Sequence, residues 1–344
     1  MKKFLFIYLL FIALAGFAQQ TQDAATLHET AKGFLKQGDY ENTILVLNKA
    51  LQLQPNDPEI SRDLLYTYYL KRDFAKALEI GKPLAERADA DITTLQMMGL
   101  VYKSIAENKE AEKLYKKGLK NYPDAGILYS EYGDLLAEKE PDNALKLWEK
   151  GIEADPNHSS NYYHVAKQYA QSGNSLWSIL YAEMFLNMES FTARSTEMKN
   201  LLLQQYKKFF VSGYTAPPAP VVKGKKKNNN PTFTKAVAEV LQNQQSQTAY
   251  GITPESLTAI RTRFILDWYD KYGERFPFRL FEHQRQLLQE GMFEAYNFWL
   301  FGPAANLKTY QTWQQYHQDE LNTFLGFVRS KVFKIPSGQQ YRTM

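Results

Sequence analysis

The sequence predicts an all-α protein, and two observations carry that reading. The first is an internal recurrence at about 34 residues, a period that belongs to helical-repeat architectures. Leu27, Ala31, Phe34, Gly38, Tyr40, Leu47, Ala50 and Pro55 are answered one period on by Leu65, Tyr68, Phe74, Ala77 and Leu84. The second is that the chain beyond Thr232, which does not recur, still spaces its large apolar residues three and four apart, as a helix with one buried face requires.

The recurrence continues through Leu95, Gly99, Tyr102, Ala111, Tyr115, Gly118 and Pro123. A fourth copy holds Tyr129, Tyr132, Gly133, Leu136, Ala144, Trp148, Gly151 and Pro156, with one residue missing from the turn before Ala144. A fifth holds Tyr162, Ala166, Tyr169, Gly173, Ala182 and Phe185. Small residues at Ala31, Gly99, Gly133 and Ala166 suit close approach by a first helix, and Ala77, Ala111 and Ala144 do the same for a second. Phe34, Tyr68, Tyr102 and Tyr169 fill the space between. Gln37-Gly38-Asp39 and Ser172-Gly173-Asn174 break the helices, and Pro55, Pro123 and Pro156 stop the second ones.

These residues resemble the tetratricopeptide repeat, whose unit is a pair of antiparallel helices. The resemblance implies a superhelix of about five helix-turn-helix repeats with a concave surface, each unit covering the apolar face of the one before it. Residues Phe191 to Phe210, with Met198, Leu201, Leu202 and Tyr206 at helical spacing, are expected to cap the last unit.

The chain begins with Lys2 and Lys3, runs through the apolar stretch Phe4 to Leu14, and reaches Gly16-Phe17-Ala18 before turning polar at Gln19. That is the tripartite pattern of a secretory signal peptide, with cleavage expected between Ala18 and Gln19; the alternative is an uncleaved anchor. The expectation is a periplasmic or cell-envelope protein. With no cysteine, a lipid-anchoring cysteine, a disulfide framework and thiolate chemistry are excluded. The formal charge of +4 falls to about +2 once Lys2 and Lys3 are removed, with both signs mixed along the helices, which argues against a nucleic-acid partner.

The expected organisation is therefore a signal peptide over 1–18, a repeat array with its cap over 19–211, a linker over 212–231, and a small C-terminal helical domain over 232–344. The linker carries Ala216-Pro217-Pro218-Ala219-Pro220, Lys223-Gly224-Lys225-Lys226-Lys227 and Asn228-Asn229-Asn230-Pro231. In the last segment, Thr253-Pro254 starts a helix carrying Leu257, Ile260, Phe264, Trp268 and Tyr272. A second helix is expected from Arg279 to Phe301, and one or two more hold Leu307, Tyr310, Trp313, Leu321, Phe324, Leu325 and Val328. These aromatics read either as a core or as a platform for a sugar or peptide; their helical spacing favours a core.

No catalytic pattern is found. The five histidines do not form a metal-binding pair, Glu282-His283 reads as a solvated histidine, and the lysine run lacks the glycines of a phosphate loop. Neither a metal nor a cofactor is expected. In the repeat family, ligands lie along the concave face made by the first helix of each unit. The resemblance therefore places binding at His28, Lys32 and Lys36, at Arg62, Tyr66 and Tyr69, at Gln96, Leu100 and Lys103, at Ser130 and Asp134, and at Tyr163 and Lys167. Cations among tyrosines suit an extended peptide with acidic and aromatic groups. One subfamily clamps a C-terminal carboxylate with lysines and asparagines; here Lys32 and Asp63 replace two asparagines and Thr93 and Met97 two cations, so that role is not expected. The function expected is a scaffold that holds a protein or peptide, with an envelope enzyme or glycan-binding module as the alternative.

Overall fold

The structure, a computed structural model, describes residues 23–213 and 231–341. The expected signal peptide and most of the expected linker lie outside the described residues. Among those residues the fold is all-α, with 17 helices and no strand. Five helix-turn-helix pairs come first: α1 (Ala24–Lys36) and α2 (Tyr40–Leu53), α3 (Pro58–Leu70) and α4 (Phe74–Glu86), α5 (Ile92–Ser104) and α6 (Asn108–Asn121), α7 (Gly126–Leu136) and α8 (Pro141–Ala154), α9 (Ser159–Gln171) and α10 (Ser175–Met188). The long α11 (Ala193–Ser212) follows the fifth pair. The chain then continues with α12 (Phe233–Gln242), α13 (Pro254–Lys271), α14 (Arg279–Gln289), α15 (Phe293–Ala305), α16 (Leu307–Tyr316) and α17 (Gln318–Ser330). It divides into two compact units between Leu114 and Tyr115, inside α6.

The turns within the pairs share one construction. In the first, second, third and fifth, the chain reverses through a single left-handed residue: Gly38 at φ 76°, Arg72 at 63°, Ala106 at 60° and Gly173 at 79°. The next residue then donates its N–H to the carbonyl five positions back: Asp39 to Phe34 at 3.0 Å, and Asp73 to Tyr68, Glu107 to Tyr102 and Asn174 to Tyr169 at 2.9 Å. This closure satisfies a carbonyl the helix would otherwise leave open. Glycine stands at only two of the four positions, so Arg72 and Ala106 hold a conformation that costs an L-residue about 1–2 kcal/mol. The fourth pair, one residue shorter from Leu136 to Ala144 than the third from Tyr102 to Ala111, has no left-handed residue in its turn, and Glu140 N–H reaches Leu136 O, four back, at 2.8 Å.

Helix starts are marked by aspartate. Asp23, Asp39, Asp57, Asp73 and Asp91 each accept a backbone N–H from the first turn of the helix they open, a cap worth about 1 kcal/mol. Size complementarity sets the close contacts inside pairs. A Cβ on Gly133 of α7 would lie 2.2 Å from the Trp148 indole nitrogen of α8, which donates to Ser130 O at 3.2 Å. In the second pair the sizes are exchanged: Leu65 is the large partner, and a Cβ on Gly81 would lie 2.8 Å from it.

In the second unit one apolar core runs from Ala144 on α8 to Ile335 beyond α17. Its centre is α10, where every residue from Ser175 to Leu186 is buried. A helix apolar on all sides has to be surrounded. Here α9 and α11 pack on it from the repeat side and α14 from the C-terminal side, while α11 and α13 pack on α15. The C-terminal aromatics Phe264, Trp268, Phe281, Phe293, Tyr296 and Trp299 belong to this core. The single helix expected from Arg279 to Phe301 is two: Gly291, at φ 72°, ends α14, and Met292 N–H closes on Leu287 O at 2.8 Å. His283, expected in solvent, is buried among the rings of Tyr296, Phe327 and Phe333, and the burial pushes its pKa down to about 3.

A charged pair sits within this core. Glu183 of α10 and Arg261 of α13 are each 2% exposed at the side chain and form an ion pair. Gln284 of α14 donates to Glu183 Oε1 at 2.6 Å and the Tyr296 hydroxyl of α15 donates to it at 2.7 Å. Arg261 also donates to Asn297 of α15, and its guanidinium lies 5.2–5.4 Å from the rings of Phe293, Tyr296 and Phe301. Removing one member leaves the other charged and buried. Glu183→Ala is expected to lower the unfolding free energy by about 3–5 kcal/mol in urea titration, and adding Arg261→Met to restore a large part of it. A loss below about 1 kcal/mol would show that the pair does not hold these helices together. At the turns, Ala106→Gly is expected to stabilise by about 0.5–1 kcal/mol, read as a rise in the urea midpoint, because glycine takes φ 60° without strain.

Candidate functional site

Most of the positions expected to bind lie in the first unit. His28 of α1 is buried, its Nε2 2.7 Å from Asp63 Oδ2 on α3. Lys32 pairs with Glu29 at 2.7 Å, and Lys36 is exposed. Arg62 of α3 pairs with Asp91, the cap of α5. Tyr66 and Tyr69 are half-buried, the latter with its ring 6.1 Å from Phe74. Gln96, Leu100 and Lys103 are half-buried on α5. The expected inward face is therefore a ladder of polar contacts between successive first helices: His28 reaches Asp63 and Arg62 reaches Asp91.

In the second unit Ser130 is buried and Asp134 exposed on α7, whereas Tyr163 and Lys167 of α9 are brought together against α11. The Tyr163 hydroxyl donates to Glu197 Oε2 at 2.5 Å, Lys167 Nζ lies 2.8 Å from Glu197 Oε1, and Lys167 also donates to the Tyr163 hydroxyl at 3.2 Å. Arg194 lies 5.1 Å over the Tyr163 ring and binds Glu189 and Ser160. The bonds from Lys167 and Tyr163 hold the Glu197 carboxyl below its ordinary value. Burial opposes the charge on Lys167, yet its bonds to Glu197 and Tyr163 outweigh that and raise its pKa.

Beside this cluster a groove of about 490 Å³ opens between α9 and α11, within the size range of ligand sites. It is bordered by Lys167, Gln171, Glu197, Asn200, Gln204 and Lys208, and by Gln205, which is only 1% exposed. Gln205 Oε1 has no hydrogen-bond partner among the described residues, although a buried amide oxygen ordinarily finds one. The chemistry on offer is hydrogen bonding by amides that both donate and accept, flanked by two ammonium groups. Sequence reasoning found Lys167 and missed the α11 residues, because α11 matched no repeat and was read only as a cap. Polar residues at Asn200, Gln204, Gln205 and Lys208, at helical spacing beside the apolar stripe, are the signal that marks a second working face.

The C-terminal aromatics leave less to a ligand. An open pocket of about 430 Å³ beside α16 is lined by Trp313, Tyr316 and His317, but Trp313 already stacks on Phe298 at 4.2 Å and on His317 at 4.7 Å. Among the described residues no group of three or more acidic or histidine side chains is placed to hold a metal ion, and no helix is long and apolar enough to cross a membrane.

The paired helices and their repeated turns define a helical-repeat protein. Residues 92–124 match the family profile of the tetratricopeptide repeat, and the other helix pairs have the same helix-turn-helix build. Solved structures that the chain is similar to include a thermophilic tetratricopeptide-repeat protein of Thermus thermophilus, at 17% identity, 52% of this chain, 99% of that one and a TM-score of 0.45. MamA from residue 41 onward, of Desulfovibrio magneticus RS-1, is 14% identical over 48% of this chain and 95% of its own, with a TM-score of 0.40. YrrB, described as having an unusual peptide-binding site, is 17% identical over 54% of this chain and 96% of its own, at 0.38.

Because Glu197 has a lowered pKa, its contribution is complete above the ordinary carboxyl value of 4.5 and is lost as pH falls through the lowered one. Glu197→Gln is expected to melt below the wild type at about pH 7, and the gap to close as pH drops under about 4.5. Thermal denaturation across that range checks it; a gap that does not change with pH excludes the ion pair as its cause.

Proposed function

We propose that this protein is a binding scaffold of the cell envelope that holds an extended peptide or protein segment, with the groove between α9 and α11 as its site. One observation carries the reading: an open groove of about 490 Å³ whose lining combines the amides of Gln171, Asn200 and Gln204 with the ammonium groups of Lys167 and Lys208. Amide side chains match the alternating N–H and C=O groups of an extended backbone. Lys167 and Lys208 favour acidic groups on the ligand. Since Lys167 is already paired with Glu197, a ligand carboxylate has to displace Glu197 to reach it.

Location in the envelope rests on the first residues alone: the two lysines, the apolar stretch and the Gly16-Phe17-Ala18 ending. A mature N-terminus at Gln19 in the exported fraction is the measurement that supports it, and a chain retained with Met1 in the cytoplasm removes it.

The binding reading is tested by selecting displayed peptides on the purified chain and measuring their affinity by calorimetry. Peptides rich in acidic residues are expected, with binding lost in Lys167→Glu/Lys208→Glu at unchanged helicity. If the selected peptides bind that variant as well as the wild type, the groove is not the site. If no peptide is enriched, the scaffold reading fails for peptides.

A further inference from the structure

The last described residues, 331–341, leave α17 without regular structure, and their attachments are those of a bound peptide. Asn157, in the loop between α8 and α9, holds Ile335 with both ends of its amide: Nδ2 donates to Ile335 O at 3.2 Å and Ile335 N–H donates to Oδ1 at 2.9 Å. Arg279, opening α14, donates its backbone N–H to Gln339 Oε1 at 2.6 Å and its Nε to Lys334 O at 3.2 Å, with its guanidinium 5.1 Å over the Phe333 ring. Side chains alternate, with Phe333 and Ile335 buried and Val332, Lys334 and Pro336 exposed. That is the two-residue period of an extended segment on a surface. At the far end Tyr341 stacks 4.4 Å from Phe233 and donates its hydroxyl to Pro277 O at 2.8 Å.

Main-chain hydrogen bonds with pockets for alternate side chains are how extended peptides are recognised in general. The bidentate amide of Asn157 reads backbone, not side chain, and so does not depend on which chain supplies the segment. The root of the segment is loosely held: Lys331 is exposed and Val332 is 80% exposed, so few contacts oppose lifting it. We propose that the surface carrying Asn157, Arg279 and Phe233 is a peptide-binding site filled in cis by residues 331–341, and that it accepts the same segment from a second copy of the chain. The ligand class is an extended peptide with an aromatic and a branched aliphatic residue two positions apart and a tyrosine six positions beyond. The site is independent of the groove between α9 and α11. A tethered segment enjoys a high effective concentration, so the free peptide competes for the site only once the tether is cut.

The test uses the full chain with a specific protease site inserted between Ser330 and Lys331, cleaved after folding, and a fluorescent peptide spanning residues 331–344. The cleaved chain is expected to keep its helicity and release the segment on dialysis. It then binds the labelled peptide saturably, at least about tenfold more weakly with Asn157→Ala, while the uncleaved chain binds it about a hundredfold more weakly or less. Loss of helicity on cleavage overturns the proposal, because the helices then do not stand without the segment and there is no separable site. So does a cleaved, folded chain that shows no saturable binding up to about 1 mM peptide.

Discussion

The second unit depends on the pair formed by Glu183 and Arg261. Helix α10 faces the repeat helix α9, the following helix α11 and the C-terminal helix α14 at once, and it is buried along its whole first three turns. Apolar packing favours such a helix inside without fixing its rotation or its partners. A buried carboxylate does fix them, because it demands donors at defined positions. Arg261 from α13, Gln284 from α14 and Tyr296 from α15 meet at Glu183, and an arrangement that separated any one of them would leave a charge or a polar atom in apolar surroundings. A buried pair adds little to stability compared with an apolar core; its contribution is to specify one arrangement among several apolar ones.

The repeat helices follow a different logic, in which local rules recur and are compensated within each pair. The left-handed turn residue is kept at Gly38, Arg72, Ala106 and Gly173, glycine or not, because the closing hydrogen bond and the packing of the two helices require that reversal. Where the chain is one residue shorter the reversal is made without it. Size is treated in the same way: Gly133 faces Trp148 and Gly81 faces Leu65, so what recurs is the summed volume of a position pair and not the residue at either position.

The first-helix positions expected to bind were legible in the sequence by place and not by the contacts they make. Counting from the repeat placed His28, Arg62, Tyr163 and Lys167 on first helices, where they are, but a count along the chain does not reveal cross-helix partners. Asp63, Asp91 and Glu197 bind them, and each partner lies a helix away in space. The groove that remains open is lined mainly from α11, whose amides fall outside the recurring pattern.

By itself the sequence determined the all-helical class, the unit length and its five copies, a helix in the segment after Phe191, and the missing residue of the fourth unit. These follow from periodicity and from glycine, proline and aspartate chemistry, which are local. Only the tertiary structure decided that the C-terminal aromatics share one core with the last repeats, that Glu183 and Arg261 meet across 78 positions of chain, that His283 is buried, and that residues 331–341 return to Asn157. Each of these depends on which apolar face meets which, and apolar faces carry no address in the sequence; the polar groups trapped between them do, once the fold has brought them together.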